Sequence, residues 1–167
     1  GITMPITKHN YLVETVEELP QTVKEAYHIC NTGRPGPVVI DLPKDVQRAE
    51  LKNYKPPKTV SFESYNPILK PHPRQIKIAV KELMDAENPL MLIGGWVIIS
   101  GGSKELVQLA ELLGIPITTT SMAKGCIPEN HPLALGMVGM HGNKWANLAV
   151  QNADVIFAIG TRFSDRI

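Results

Sequence analysis

The residues best suited to bind a ligand stand directly after predicted strands. Gly94 and Gly95 follow the apolar run 90–93, and threonine and serine hydroxyls end the run 115–119 and follow it. Glycine lets a phosphate or a ring approach the backbone, and hydroxyl groups both donate and accept hydrogen bonds. The pattern favours a binding site, although a turn made by two glycines and ordinary strand threonines explain the same residues.

Two arginines follow a third predicted strand, 155–159. Arg162 and Arg166 stand close behind this strand, with Asp165 between them. A guanidinium can bind a phosphate through two hydrogen bonds, so either arginine is a candidate phosphate ligand. A surface network of arginine and aspartate is the alternative, and it suits Arg166 better than Arg162.

The segment 135–142, LGMVGMHG, combines glycines, methionines and a histidine. Methionine suits contact with a flat aromatic ligand, and it equally fills a protein core. The spacings define no Ser/His/Asp or Cys/His nucleophile. Cys30 and Cys126 form no CxxC pair, and no two histidines have HxxxH spacing, so we predict neither a disulfide, nor a zinc site, nor any other protein-ligated metal.

Helices and strands alternate along the chain and must position these groups. Thr15 and Glu18 have the spacing of a capping box, which predicts a helix over 16–32, ended by Gly33, and a buried strand over 37–42. A polar, proline-rich stretch over 52–73 then predicts an interdomain linker.

Beyond the linker, apolar spacing predicts a helix over 76–83, a strand over 90–93, a helix over 106–113 ended by Gly114, and a strand over 115–119. A loop over 121–142, a short helix over 145–150 and the strand over 155–159 follow. This order predicts an α/β protein with a doubly wound parallel sheet, whose ligand lies at the carboxyl ends of the strands. Because such a sheet normally continues, we expect the second half of this domain to lie outside the chain.

Composition excludes several partners. The 167 residues are 43% hydrophobic and 20% charged, and the formal net charge of +1 gives no reason to expect nucleic acid or an anionic membrane as partner. The most apolar stretch, 89–99, is far shorter than the roughly 20 residues of a membrane helix. We therefore expect no membrane partner. Because the two cysteines suggest no disulfide framework, the reducing cytoplasm is the expected location.

Four segments together resemble acetolactate synthase (acetohydroxyacid synthase) large subunits, a family of thiamine-diphosphate enzymes. They read MPITKHNYLV at 4–13, TGRPGPVVIDLPKDVQ at 32–47, LGMVGMHG at 135–142 and GTRFSDR at 160–166. The resemblance implies an internal fragment of the subunit. It implies the C-terminal part of the pyrimidine-binding α/β domain at 1–48, a linker at 49–72, and the first half of a Rossmann-like central FAD-binding domain at 73–167.

The resemblance also implies which residues bind ligands. In this family FAD takes no net redox part in the condensation, so its role here would be structural. The family's flavin contacts correspond to Arg34, Gly94, Gly95, Thr120, Ser121, Gly139, Met140, His141, Gly160, Thr161 and Arg162. Its substrate channel corresponds to Lys44, Met140, Asp165 and Arg166.

The resemblance implies no catalytic residue within the chain. The glutamate that activates thiamine diphosphate lies upstream of this segment in the family, and the GDG motif that holds Mg²⁺ and diphosphate lies downstream. We therefore expect these 167 residues alone to be inactive. The full-length enzyme would condense two pyruvates, or pyruvate and 2-oxobutanoate, with release of CO₂ in branched-chain amino-acid biosynthesis. Its large subunits would form a homodimer or homotetramer with a regulatory small subunit.

The sequence departs from the family at three positions, where Trp96 replaces a glycine, Ser121 a leucine and Ser164 an aspartate. An indole beside Gly95 could stack on the flavin or block it. Another thiamine-diphosphate enzyme, such as glyoxylate carboligase or pyruvate oxidase, and a non-catalytic nucleotide-binding module are the alternatives. The segment KHNYLV argues against the first of these.

Overall fold

The computed structural model describes residues 1–62, 64–68 and 70–164, and the chain divides into two compact units, 1–71 and 72–167. Every strand pair in the described residues is parallel, and helices connect most of the strands. The predicted α/β class with parallel sheets is therefore confirmed. The assignment of 1–48, 49–72 and 73–167 to particular domains stays a prediction.

The first unit contains a pair of parallel strands connected by a helix. Strand β1 (His9–Leu12) pairs with β2 (Val38–Asp41), and helix α1 (Leu19–Asn31) lies between them in the chain. A short helix, α2 (Lys44–Arg48), follows β2. Helix α1 buries Ala26 and Ile29, which are spaced three residues apart on one helical face.

The capping box predicted at the start of α1 is wrong. The helix begins at Leu19, three residues later than expected, and its N-cap residue Glu18 makes no side-chain capping hydrogen bond. The carbonyl of Thr15 instead accepts a hydrogen bond of 3.3 Å from the backbone N–H of Glu18. Pro20 explains the late start, because proline is favoured in the first turn of a helix, where its missing N–H costs nothing.

The segment that follows α2 has no helix or strand in its described residues, yet it packs on α1. The ring of Phe62 stacks on His28 with 5.9 Å between the ring centroids. The Lys24 ammonium donates a hydrogen bond to the carbonyl of Pro57, and Tyr65 contacts the end of α1 through Thr32. The proline-rich stretch is therefore attached to the first unit over much of its length.

The second unit is a four-stranded parallel sheet with helices on both faces. Its strands are β3 (Pro89–Ile93), β4 (Ile117–Thr119), β5 (Ala134–Met137) and β6 (Val155–Ile159). Its helices are α3 (Pro73–Asp85), α4 (Trp96–Ile99), α5 (Ser103–Leu113) and α6 (Lys144–Asn152). The strand order is β5-β4-β3-β6.

The core is divided between the two faces of this sheet. On one face, Met91, Ile93 and Ile117 pack with Leu106 and Ala110 of α5. On the other face, a smaller cluster consists of Leu92, Val138 and Ala146, the last of which lies in α6. Strand β3 is buried on both sides, as its unbroken apolar run predicts.

The predicted loop over 121–142 contains a strand that sequence reasoning missed. Strand β5 is only four residues long, and it includes Gly136 at a φ of 85°, a left-handed conformation that suits glycine. The register shifts between Ile117 and Thr118 opposite this strand. A short strand with such an irregularity has no clear alternation, so its pattern resembles a loop. The helices α2 and α4 were not predicted either, because helices of five and four residues are too short to show a helical spacing of apolar residues.

Candidate functional site

Backbone hydrogen bonds align the carboxyl ends of all four strands of the second unit. The Gly94 N–H donates to the Ile159 carbonyl at 2.8 Å, which connects the ends of β3 and β6. The Thr120 N–H donates to the Ile93 carbonyl at 2.8 Å, which connects β4 to β3. The Val138 N–H likewise donates to Thr119 at 3.0 Å, which connects β5 to β4. We call residues 94–96, 120–122, 138–141 and 160–163 the strand-end edge.

The strand order reverses within this edge. The chain proceeds from β3 outward to β4 and β5, and then α6 returns it to β6 on the other side of β3. In open parallel sheets, ligands bind outside the carboxyl ends of the strands at such a reversal. The residues that follow β3 and β6 are Gly94, Gly95, Gly160, Thr161 and Arg162, all of which were predicted as site residues.

The glycines at the reversal allow the backbone segments to touch. A Cβ atom on Gly94 would overlap the carbonyl of Gly160, and one on Gly160 would lie 2.9 Å from the Cβ of Trp96. The Trp96 N–H also donates a hydrogen bond of 3.3 Å to the Gly160 carbonyl. A Cβ atom on Gly95 would lie 2.9 Å from that of Met122, beyond the end of β4. Close packing of the chain therefore accounts for these three glycines.

Two asparagines position the loop after β5: Asn143, the N-cap residue of α6, and Asn147, which lies within α6. The side-chain amide of Asn147 accepts a hydrogen bond from the Gly139 N–H at 3.0 Å and donates one to the Gly139 carbonyl at 3.1 Å. Asn143 caps α6 by accepting from the Ala146 N–H at 2.7 Å, and its amide donates to the Leu135 carbonyl at 2.6 Å. The loop that carries Met140 is therefore anchored at both of its ends.

The side chains along the strand-end edge combine polar groups with exposed apolar ones. Arg162, Ser121 and His141 are exposed, and Thr120 and Thr161 are half-buried. Three large apolar side chains follow three different strands and are mostly exposed: Met122 (78%), Met140 (75%) and Phe163 (67%). Exposed apolar groups beside polar ones are typical of a binding surface. This arrangement can bind a ligand that is partly flat and apolar and partly anionic.

The structure brings together ten of the predicted site residues. They are Gly94, Gly95, Thr120, Ser121, Gly139, Met140, His141, Gly160, Thr161 and Arg162. Arg34 and Lys44 are exposed residues of the first unit, in the turn after α1 and at the start of α2 respectively. Asp165 and Arg166 lie outside the described residues. Trp96 is half-buried at the first position of α4, and Ser164 is half-buried just beyond the strand-end edge.

Sequence reasoning missed four residues that shape this edge. Asn143 and Asn147 position the loop after β5, and Met122 and Phe163 add exposed apolar surface. Asn143 had a detectable signal, since asparagine just before a helical run is a favoured N-cap. Phe163 has a φ of 50°, which is rare for a large residue and becomes visible only in the structure.

Two cavities lie away from the strand-end edge. One, of about 350 Å³, is in the first unit and includes Glu17, Gln21 and Tyr54 in its lining. The other, of about 300 Å³, is at the opposite end of the second unit's sheet, near Asn88, Pro116 and Asn152. Neither cavity is lined by any of the predicted site residues. We therefore favour the strand-end edge as the functional site.

The described residues contain no cluster of three or more histidine, cysteine, aspartate or glutamate side chains placed to hold a metal ion. In the same parts of the chain, no helix is both long and apolar enough to cross a membrane.

The sequence profile of the family "Thiamine pyrophosphate enzyme, central domain" matches residues 76–167. The chain therefore belongs to the thiamine pyrophosphate enzyme family. This range contains β3 to β6 and the whole strand-end edge.

Over its whole length the chain is similar to acetolactate synthase large subunits, which confirms the resemblance found from its motifs. It is 56% identical to the "Probable acetolactate synthase large subunit" of Methanocaldococcus jannaschii, covering 100% of this chain and 29% of the relative. It is 50% identical to the "Acetolactate synthase large subunit" of Corynebacterium glutamicum, covering 100% of this chain and 26% of the relative. It is 48% identical to the "Acetolactate synthase" of Mycobacterium leprae, covering 100% of this chain and 27% of the relative. The chain thus spans less than a third of the length of these relatives.

Proposed function

We propose that this chain is a segment of an acetolactate synthase large subunit and that its strand-end edge is half of a Rossmann-like FAD site. The observation that carries the proposal is the hydrogen-bonded convergence of four strand ends at the point where the strand order reverses. The sequence likeness to acetolactate synthases over 100% of the chain supports the choice of the enzyme. The choice of FAD rests on the flavin contacts that the family resemblance implies.

The chemistry of the edge fits a flavin dinucleotide. FAD presents flat rings, hydroxyl groups and a pyrophosphate. The exposed Arg162 guanidinium suits the pyrophosphate, and the Thr120 and Thr161 hydroxyls suit its polar groups. The exposed thioethers of Met122 and Met140 suit a ring face. In this role FAD supplies no electrons to the condensation and stabilises the domain around the substrate path.

Further site residues are proposed from the family resemblance alone. Arg34 is proposed as a flavin contact from the first unit. Lys44, Met140, Asp165 and Arg166 are proposed to line the substrate channel. Because the strand-end edge is open surface in the described residues, we propose that the other wall of the FAD site comes from the second half of the central domain.

The proposed activity of the whole protein is the condensation of two pyruvates, or of pyruvate and 2-oxobutanoate, with release of CO₂. Thiamine diphosphate and Mg²⁺ would be bound by parts of the protein outside this chain. The proposed assembly is a homodimer or homotetramer of large subunits with a regulatory small subunit, located in the cytoplasm. The names of the relatives support the enzyme class.

The activity is tested by assaying the complete protein for acetolactate formation from pyruvate. We expect product only when thiamine diphosphate and Mg²⁺ are present, and none from the 167 residues alone. Acetolactate from the pure 167-residue chain would contradict the assignment of catalysis to other segments. Glyoxylate condensation or pyruvate oxidation in place of acetolactate formation would instead support a different thiamine-diphosphate enzyme.

The FAD site is tested by replacing Arg162 in the complete protein. Arg162→Gln should raise the Kd for FAD about tenfold, because a hydrogen bond to a charged group contributes on this scale. Lys81→Gln is the control for the loss of a surface cation, since Lys81 is exposed in the second half of α3, toward the helix end that leads into the amino end of β3. Equal FAD affinity in both variants would remove Arg162 from the site.

A further inference from the structure

The Lys8 ammonium group donates hydrogen bonds to three acceptors near the end of α1. The acceptors are the carbonyl of Ile29 at 2.6 Å, the carbonyl of Thr32 at 2.5 Å and the hydroxyl of Tyr65 at 2.8 Å. An ammonium group has three N–H donors, so all of them are used. The last carbonyls of a helix have no partner within the helix, and a cation there also interacts favourably with the helix dipole.

Tyr65 completes this arrangement from the segment that follows α2. Its hydroxyl donates a hydrogen bond of 2.9 Å to the Thr32 carbonyl and lies 3.1 Å from the Thr32 hydroxyl. The hydrogen bond from Lys8 lowers the pKa of Tyr65 from its usual value, with Thr32 as the next cause. We call Lys8, Thr32 and Tyr65 the α1 latch.

The α1 latch lies directly against the turn that carries Arg34. Gly33 has a φ of 57°, and a Cβ atom on it would lie 3.1 Å from the Tyr65 hydroxyl. On the far side of the turn, the Gly36 N–H donates to the Cys30 carbonyl at 3.1 Å. The backbone N–H of Lys8 donates to the carbonyl of Pro37 at 2.8 Å. Lys8 therefore holds the turn before and after Arg34, once through its side chain and once through its backbone.

We propose that Lys8 and Tyr65 are positioning residues that order the turn from Gly33 to Gly36 and so fix the direction of Arg34. The ordering of the turn follows from the contacts of the α1 latch alone. Its effect on FAD binding rests on the proposed function, in which Arg34 contacts the flavin. Tyr65 lies 31 residues after Arg34 in the sequence, so in this proposal a residue of the proline-rich segment orders a turn that is distant from it in the sequence.

The ordering of the turn is tested by hydrogen exchange in the complete protein. Tyr65→Phe keeps the ring and removes the hydroxyl, and Lys8→Met removes the ammonium group. Both should raise the exchange rate of the Gly36 amide about tenfold, because its hydrogen bond to Cys30 loses the support of the latch. Tyr54→Phe and Lys55→Met are the matched controls, since both residues are exposed and belong to the same proline-rich segment. An unchanged rate in Tyr65→Phe overturns the latch, whether or not Lys8→Met folds.

The positioning role is tested by a double-mutant cycle on FAD affinity. Arg34→Gln, Tyr65→Phe and the double variant are titrated with FAD. If Tyr65 acts through Arg34, each single variant weakens binding, and the double variant is no weaker than Arg34→Gln alone. Additive losses, or a loss with Arg34→Gln but none with Tyr65→Phe, overturn the positioning role.

The two failures are distinguishable. If the Gly36 amide exchanges faster in Tyr65→Phe while Arg34→Gln leaves FAD affinity unchanged, the α1 latch stands as a device that orders the turn. In that case it is the proposed flavin contact of Arg34 that fails. If the exchange rate does not change, the latch itself fails whatever Arg34 does.

Discussion

The backbone of Gly94 packs directly against the backbone of Gly160, where β3 and β6 end side by side. A Cβ atom on Gly94 would overlap both the Gly160 carbonyl and the Cα of Thr161. Backbone atoms cannot rotate away as a flexible side chain can, so one strand end would have to move. This contact fixes the spacing of the two strand ends between which the strand order reverses.

Gly94→Ala should therefore destabilise the second unit by about 1–3 kcal/mol, the usual cost of overpacking. It should also weaken FAD binding, because the strand ends separate. Thermal unfolding and FAD titration measure the two effects. Gly102→Ala is the matched control, since a Cβ atom there would be 3.4 Å or more from its neighbours and its φ is −83°. Similar stability in the two variants would mean that the strand ends tolerate separation.

Asn147→Ala should loosen the loop after β5. The substitution removes the acceptor of the Gly139 N–H and one of the two donors to the Gly139 carbonyl, which keeps its hydrogen bond of 2.9 Å from the Gly142 N–H. Each lost hydrogen bond costs about 0.5–1.5 kcal/mol. We expect faster hydrogen exchange at the Gly139 amide and a higher Kd for FAD in the complete protein. Asn152→Ala, at the exposed end of the same helix, is the control and should change neither quantity. An unchanged exchange rate of the Gly139 amide would show that the hydrogen bonds from the Asn147 side chain are not needed to order this loop.

The alternation of helices and strands was predictable because long apolar runs and glycine at a helix end are local signals. The apolar run 90–93 correctly predicted strand β3. Gly114, which adopts a φ of 67°, correctly marked the end of α5. Strand β5 was not predictable, because its pairing depends on the register shift opposite Gly136. The start of α1 was misplaced because Pro20 outweighs the capping box that the spacing of Thr15 and Glu18 suggested.

The site was predictable to the extent that parallel strands gather their carboxyl ends at one edge. The glycines and hydroxyls after β3, β4 and β6 were found in this way. The hydrogen bonds between the Asn147 side chain and Gly139 were not predictable, since nothing in the sequence shows that α6 places this amide against Gly139. The α1 latch was also hidden, because it joins Lys8 to Tyr65 across 57 positions of the chain.

The carboxylate of Asp154 should make the stability of the second unit depend on pH. It accepts hydrogen bonds from the backbone N–H groups of Glu87 at 2.7 Å, Asn88 at 2.9 Å and Val155 at 2.8 Å. These hydrogen bonds lower the pKa of Asp154 below its usual value of 3.8, and the bond from the Glu87 N–H has the largest effect. A carboxyl group with a lowered pKa stabilises the folded state above the pKa of the unfolded chain, and this contribution is lost as the pH falls through the folded pKa.

Asp154→Asn should therefore lower the melting temperature at pH 7 and reduce the further loss of stability as the pH falls from about 5. Melting curves between pH 3 and pH 7 test this for the variant, the unchanged protein and the control Asp85→Asn. Asp85 is the exposed last residue of α3. Parallel pH profiles for Asp154→Asn and the unchanged protein would show that this carboxylate does not contribute.

The most direct test of the proposed FAD site is a fluorescence titration of FAD into two proteins. One is the 167-residue chain alone, and the other is the same sequence extended through the complete central domain. A dinucleotide at a strand-order reversal needs walls from both halves of the sheet, so we predict binding by the extended protein and weak or no binding by the chain alone. Equally tight binding by both would show that the site is complete within these residues, and absence of binding by the extended protein would contradict the FAD site altogether.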